Sequence, residues 1–220
     1  AKDMGARSIA YCFVEPTVFY EYMLDTAVLA RKAGLLNIFH SNGFINPGPL
    51  RALATVTDAV NIDLKAFTEV FYRELCEGRL APVLETLKTL RQEKVHIEIT
   101  QLVIPSLNDD MAAVNQLCRW VKSEVGAATP LHFIRFYPLY KLQGLPPTPV
   151  AMLEKIRASA LSNGVEYVYL GNVPGHEGAN TFCPRCKKIL IQRMGFMIGE
   201  TYLKEGKCGH CGNPIPGIWG

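Results

Sequence analysis

Four cysteines close to the carboxyl end, Cys183-x2-Cys186 and Cys208-x2-Cys211 with 21 residues between the pairs, have the type and spacing of a tetrahedral four-thiolate metal site. Each pair lies in a knuckle, Cys183-Pro184-Arg185-Cys186-Lys187-Lys188 and Cys208-Gly209-His210-Cys211-Gly212-Asn213. Pro or Gly after the first cysteine, and a basic or Gly residue after the second, favour the tight turn that aims two sulfurs at one ion. A closed set of four thiolates suits structural zinc; rubredoxin-like iron or an auxiliary iron–sulfur cluster would use the same ligands, and two disulfides would consume them. Asp63 and Lys65, two apart at the end of a β-prone run, point to the same side. Together they can serve a ligand's amine and carboxylate, or simply neutralise one another. Glu15-Pro16-Thr17 joins a stiff strand exit to a helix start and so fixes a carboxylate over a strand end. Cys12, Cys76 and Cys118 match no metal spacing and read as small packing residues.

The elements that must position these groups follow from apolar periodicity. Residues 7–13, 35–41, 59–64, 95–104, 131–137 and 165–170 are predicted strands. Residues 17–33, 49–55, 80–93, 108–124 and 149–163 are predicted helices, with Thr17, Asn108 and Thr148 as N-caps and Gly34 and Gly164 as stops. Strand–helix alternation of this kind builds a parallel sheet, open or curled into a barrel, with its chemistry at the carboxyl ends of the strands. Those ends carry Glu15, Ser41, Asn42, Asp63, Lys65, Thr100, Gln101, Arg135, and the loop from Asn172 to Asn180 with His176 and Glu177. No Gly-x-Gly-x-x-Gly follows the first strand, and the P-loop, Gly-x-Ser-x-Gly and His-Glu-x-x-His patterns are absent, which removes the usual nucleotide and hydrolase readings. Residues 180–220 read as a separate zinc-ribbon-like module, its knuckles bracketing a hairpin with turns at Gly195 and Gly199, after a body spanning residues 1–179.

A chain of 220 residues with 49% hydrophobic content and a net charge of +3 can bury a full core and lacks the basic footprint of a nucleic-acid binder. No apolar run is long enough to span a bilayer, so no membrane partner is expected. Metal-spaced thiols and an odd cysteine count, 7, favour a reducing compartment, hence the cytoplasm. The opening Ala1-Lys2-Asp3-Met4-Gly5 reads as the last turn of a helix closed by glycine, so the first residue is expected to fall inside a longer protein.

Taken together, the motifs carry a resemblance: Glu15-Pro16-Thr17-Val18-Phe19-Tyr20, Ser41-Asn42-Gly43-Phe44, Asn61-Ile62-Asp63-Leu64-Lys65, Ile104-Pro105-Ser106-Leu107-Asn108-Asp109, Arg135-Phe136-Tyr137-Pro138 and Gly171-Asn172-Val173-Pro174-Gly175-His176-Glu177. The chain resembles the radical S-adenosylmethionine (SAM) enzyme of the AmmeMemoRadiSam system, a relative of the pyruvate formate-lyase activating enzymes. The resemblance implies a partial (β/α)6 TIM-like barrel lacking its first strand, a [4Fe-4S] cluster bound by a Cys-x3-Cys-x2-Cys loop, and SAM cleavage to a 5′-deoxyadenosyl radical that abstracts hydrogen. That loop is not in this sequence and is expected upstream of Ala1, so the chain alone is expected to be inactive. It further implies that Glu15 meets the methionine end of SAM, that Asn42 and Gly43 line its pocket, that Asp63 and Lys65 face cofactor and substrate, and that the partners are Memo-like and AMMECR-like proteins. Val14 departs from the Thr that precedes Glu-Pro in the family, Thr100 from a cofactor-contacting Arg, and Leu139 from a polar residue. The other reading is a barrel remnant with a zinc ribbon, acting as a binding or scaffold protein.

Overall fold

The computed structural model describes residues 1–195 and 197–219, and the chain divides into two compact units, Ala1–Thr100 and Gln101–Gly220. Six parallel strands, β1 Ser8–Tyr11, β2 Leu36–Ser41, β3 Ala59–Asp63, β4 His96–Val103, β5 Leu131–Arg135 and β6 Val168–Gly171, follow sequence order along one sheet. This is the parallel sheet expected from the alternation, and it matches the partial (β/α)6 barrel that the resemblance implies. Short runs of β-branched and aromatic residues make the strands, and their alternating burial shows one face turned to helices.

In the first unit, α1 (Tyr20–Lys32) buries Met23, Ala27 and Ala30, and α4 (Leu80–Gln92) buries Val83, Thr86, Leu87 and Leu90, the three-and-four spacing of an amphipathic helix. Asn37 of β2 is fully buried beneath α1. Its Nδ2 donates to the carbonyls of Ala27 and Val56, and its Oδ1 accepts from the Tyr11 hydroxyl. A buried amide is stable in such a place only when so satisfied.

Gly34 and Gly164 close α1 and α6 (Val150–Ser162) at φ +77° and +91°, the left-handed stop that the sequence predicts. The N-caps are corrected. Glu15 caps the 3-10 turn Pro16–Phe19 that precedes α1, accepting from Thr17 N, and Asp110 caps α5 (Met111–Trp120), accepting from Ala113 N. Carboxylates two residues from the predicted Thr17 and Asn108 reach the orphan N–H groups instead. Thr148 is wholly buried; its hydroxyl donates to Val103 O and accepts from Phe136 N, stitching the Pro-rich loop to the exit of β5. A short helix α3 (Glu69–Leu75), capped by Thr68 and burying Phe71 and Tyr72, lies in a stretch with no predicted element, because seven residues give too few turns for periodicity to show.

The carboxyl-terminal segment of the second unit forms a three-stranded antiparallel sheet, β7 (Thr181–Phe182), β8 (Ile189–Met194) and β9 (Met197–Thr201), and a two-stranded ladder, β10 (Leu203–Lys204) with β11 (Lys207–Cys208). Gly195, at φ +60°, sits in the β8–β9 turn. Gly199 lies inside β9, where a Cβ would stand 3.1 Å from Gln192 Oε1. It is a strand glycine accommodating a neighbour, not the predicted turn.

Candidate functional site

At the carboxyl ends of β1 to β3, Glu15, Ser41, Asn42, Asp63 and Lys65 line an open cavity of about 190 Å³ together with Cys12, Val14 and His40. Glu15 organises its rim. One carboxylate oxygen accepts from Ser41 Oγ at 2.7 Å and from Thr17 N and Oγ1, and the other accepts from Asn42 N at 2.8 Å. The Glu15 carboxylate is therefore largely engaged in joining the β1 exit to the β2 exit. Asn42 Oδ1 accepts from Phe44 N at 2.8 Å. Gly43 follows at φ +72°, with space beneath it closed by Ile62 Cγ2, 2.9 Å from where a Cβ would be, and its carbonyl accepts from the buried Thr86 hydroxyl. Only glycine combines that φ with that contact.

Asp63 is clasped on both oxygens, by His40 Nε2 at 3.1 Å and Lys65 Nζ at 2.6 Å. Burial pushes its carboxyl up, but the His40 hydrogen bond and the Lys65 charge outweigh this and leave it below the usual value. The same hydrogen bond raises His40 against its own desolvation. His40 was not among the strand-end residues picked from sequence. Its signal is register: it lies directly opposite Asn61, two residues before Asp63, so the β-period places it on the Asp63 face. Lys65 is further held by Tyr72, whose hydroxyl accepts from Lys65 N.

Other predicted candidates have local duties. Arg135 donates through Nε to Thr148 O and stacks 4.9 Å over the Tyr137 ring. His176 caps a 3-10 turn by accepting from Gly178 N at Nδ1, and its Nε2 meets Glu154 at 3.1 Å. Gln101 is buried with an unpartnered Oε1, and Thr100 is half-buried on β4.

The second site is the cysteine cluster. The sulfurs of Cys183, Cys186, Cys208 and Cys211 all lie within 4.8 Å of one another, with Cys183–Cys211 and Cys186–Cys208 at 3.7 Å. Ligands about 2.3 Å from a tetrahedral ion stand about 3.8 Å apart, and a disulfide needs about 2.05 Å, so this geometry fits one metal ion and not two disulfides. The knuckles repeat one another. In each, the first cysteine's carbonyl accepts from the N–H of the residue after the second cysteine, Lys187 or Gly212, at 2.9 and 2.8 Å. Both of those residues are left-handed, at φ +61° and +72°. Gly209 must be glycine, since a Cβ there would sit 2.6 Å from Tyr202 O. Near the cluster, Tyr167 is buried with its hydroxyl unpartnered; burial, then the charges of Glu166, Tyr169 and Cys183, push its phenol up.

Among the described residues no other group of three or more ligating side chains comes together. Cys12 follows β1 and Cys76 closes α3, both exposed. Cys118 is buried in α5, its thiol pushed up to about 11 by burial, an inert packing residue. Cys12, Cys76 and Cys118 therefore do not come together as the three-thiolate set of a [4Fe-4S] cluster.

The architecture is that of the radical SAM partial barrel. In 75% of its length the chain superposes on 99% of a domain of a pyruvate-formate lyase-activating enzyme from Bacteroides vulgatus, with TM-score 0.64 and 12% identity. A radical SAM methyltransferase from Sphaerobacter thermophilus matches 77% of this chain over 52% of its own, at TM-score 0.62 and 12% identity. SuiB of Streptococcus suis, bound to S-adenosylmethionine, matches 75% of this chain over 39% of its own, at TM-score 0.61 and 9% identity. No family model matches the chain. In sequence, 209 residues are 44% identical to the uncharacterized protein MJ0808 of Methanocaldococcus jannaschii, covering 94% of this chain and 62% of that protein. The chain thus spans about three-fifths of the length of this relative.

Proposed function

We propose that this chain is the barrel part of a radical SAM enzyme, in which the first unit's strand ends receive the charged amino-acid end of S-adenosylmethionine and the four cysteines hold a structural zinc ion. One observation carries the cofactor reading: in a radical SAM fold, a His40–Asp63–Lys65 network and the Asn42 turn converge on a cavity at the carboxyl ends of the strands. At about 190 Å³ that cavity falls short of the roughly 300 Å³ at which drug-sized ligand sites begin, which suits one end of SAM and not the whole molecule. Lys65 and His40 supply cationic donors for a carboxylate, Asp63 and the free valence of Glu15 supply acceptors for an ammonium, and Gly43 lets the backbone approach closely. When bound at a reduced cluster, SAM supplies a hydrogen-abstracting radical. The residues described here contribute binding and orientation only, and the reaction belongs to the whole protein. The finer placement, in an AmmeMemoRadiSam system with Memo-like and AMMECR-like partners, rests on the motif resemblance, and the division of the chain into a body of residues 1–179 and a metal-folded module of residues 180–220 rests on the two cysteine knuckles.

Isothermal titration of SAM into the whole protein tests this reading: Asp63→Ala should abolish or greatly weaken binding while leaving the fold intact. Affinity unchanged by the substitution would return Asp63 to a structural ion pair. The pairing of both Asp63 oxygens, with His40 and with Lys65, favours a second reading, a scaffold with a zinc ribbon, and absence of SAM binding by the folded whole protein would select it. For the metal, elemental analysis should find about one zinc per chain, with iron at that stoichiometry selecting a rubredoxin-like or cluster site and neither metal defeating the ribbon.

A further inference from the structure

We propose that the Tyr167 hydroxyl is a hydrogen-bond donor to the metal-bound thiolate of Cys183, a positioning contact that couples the start of β6 to occupancy of the four-cysteine centre. The inference rests on the metal reading above and adds a residue to it. Tyr167 is 5% exposed, and its hydroxyl oxygen is shielded from solvent with no hydrogen-bond partner. A buried phenol in that state costs free energy that phenylalanine would not, so the hydroxyl needs a reason to be there.

Its surroundings supply one. Tyr167 packs in a single buried cluster with Cys183, Leu190, Ile191, Cys208 and Ile215, against which Ala128, Tyr169, Cys186, Leu203 and Cys211 also pack. Among these side chains the acceptors are the four sulfurs and the Tyr169 hydroxyl, and that hydroxyl is already paired with Thr181 Oγ1 at 3.0 Å. Of the four cysteines, Cys183 is the one that lines the same cavity of about 480 Å³ as Tyr167. The Cys183 sulfur is itself fully buried.

A neutral thiol is a weak acceptor. Metal binding removes the thiol protons and leaves sulfurs that carry the excess negative charge of four thiolates on a divalent ion, so they accept strongly. An O–H donor then satisfies the phenol and stabilises the loaded centre together. No bond is made or broken beyond the thiol deprotonation that any metal binding entails.

Cobalt(II) substitution of the whole protein, with Tyr167→Phe beside wild type, tests the coupling. Wild type should show the visible bands of a tetrahedral tetrathiolate and a sulfur-to-cobalt charge-transfer band. Tyr167→Phe should keep the former and move the latter to lower energy, because a thiolate that loses a donor is easier to oxidise. In chelator competition the variant should hold zinc about 10-fold more weakly, while its metal-free form melts no lower than wild type. An unmoved charge-transfer band with unchanged metal retention would overturn the proposal, as would equal destabilisation of loaded and metal-free forms, which is the mark of packing alone. Absence of a tetrathiolate spectrum in wild type would defeat the metal reading itself, and is visible before any variant is made.

Discussion

The strand-end cavity and the cysteine centre hold their side chains by opposite means. Around the cavity, backbone geometry comes first. Strands β1 to β3 lie over a core that includes Met23, Phe39, Ile62 and Leu87, and Glu15, Asn42 and Asp63 are placed by register and then tied by hydrogen bonds. In the cysteine module the ligands themselves are much of the core: Cys183 and Cys208 count among the six buried residues of its cluster. Its outer strand β9 is nearly all exposed, with Met197 and Ile198 in solvent. One region can keep its shape without a ligand; the other depends on what its ligands hold.

The contrast can be broken most forcefully at Cys183. Cys183→Ser, or chelation, should release one metal equivalent and abolish exchange protection across β8 and β9, because apparent binding free energies on the order of 10 kcal/mol accompany such sites; protection in β1 to β3 should persist in the same hydrogen-exchange experiment. Gly43→Ala should cost roughly 3 kcal/mol in denaturant unfolding, combining left-handed strain with the Ile62 contact. Glu15→Ala removes four accepted hydrogen bonds and should cost about 2 kcal/mol in the same assay, without loss of metal.

A gentler probe is pH. His40 is raised from 6.5 by Asp63, and Asp63 is lowered from 3.8 by His40 and Lys65. The His40 contribution is then full below pH 6.5 and fades as pH rises through its folded value. That of Asp63 is full above 3.8 and fades as pH falls through its own. The pair is strongest between those limits, and NMR titration should give His40 a midpoint above 6.5 that Asp63→Asn brings down. The smallest effect favours stability: Lys187→Gly, matching Gly212 in the other knuckle, should stabilise the module by about 1 kcal/mol by relieving a left-handed lysine, read as a higher melting temperature of the zinc-loaded form.

Much of this was legible in the sequence because it is periodic or spaced. Cys-x2-Cys twice, the six strands, and Gly34 and Gly164 as stops are local signals. Asp63 and Lys65 lie two apart, so their shared face follows from the β-period alone. What escaped is nonlocal. The partnership of His40 with Asp63 spans 23 residues and needs the β2–β3 register. The caps went to Glu15 and Asp110, because which of several adjacent polar residues reaches the free N–H groups depends on backbone angles that composition does not encode. Tyr167 reads as one more apolar strand residue until its unpartnered hydroxyl is found in the buried cluster that holds the cysteines.

Asn37 has a consequence in time as well as in space. Its amide closes contacts 10, 19 and 26 residues apart, so it is fully satisfied only once α1, the turn before β3 and β1 have all arrived. Releasing it requires the same three to part, and its side-chain protons should be among the last of the first unit to exchange.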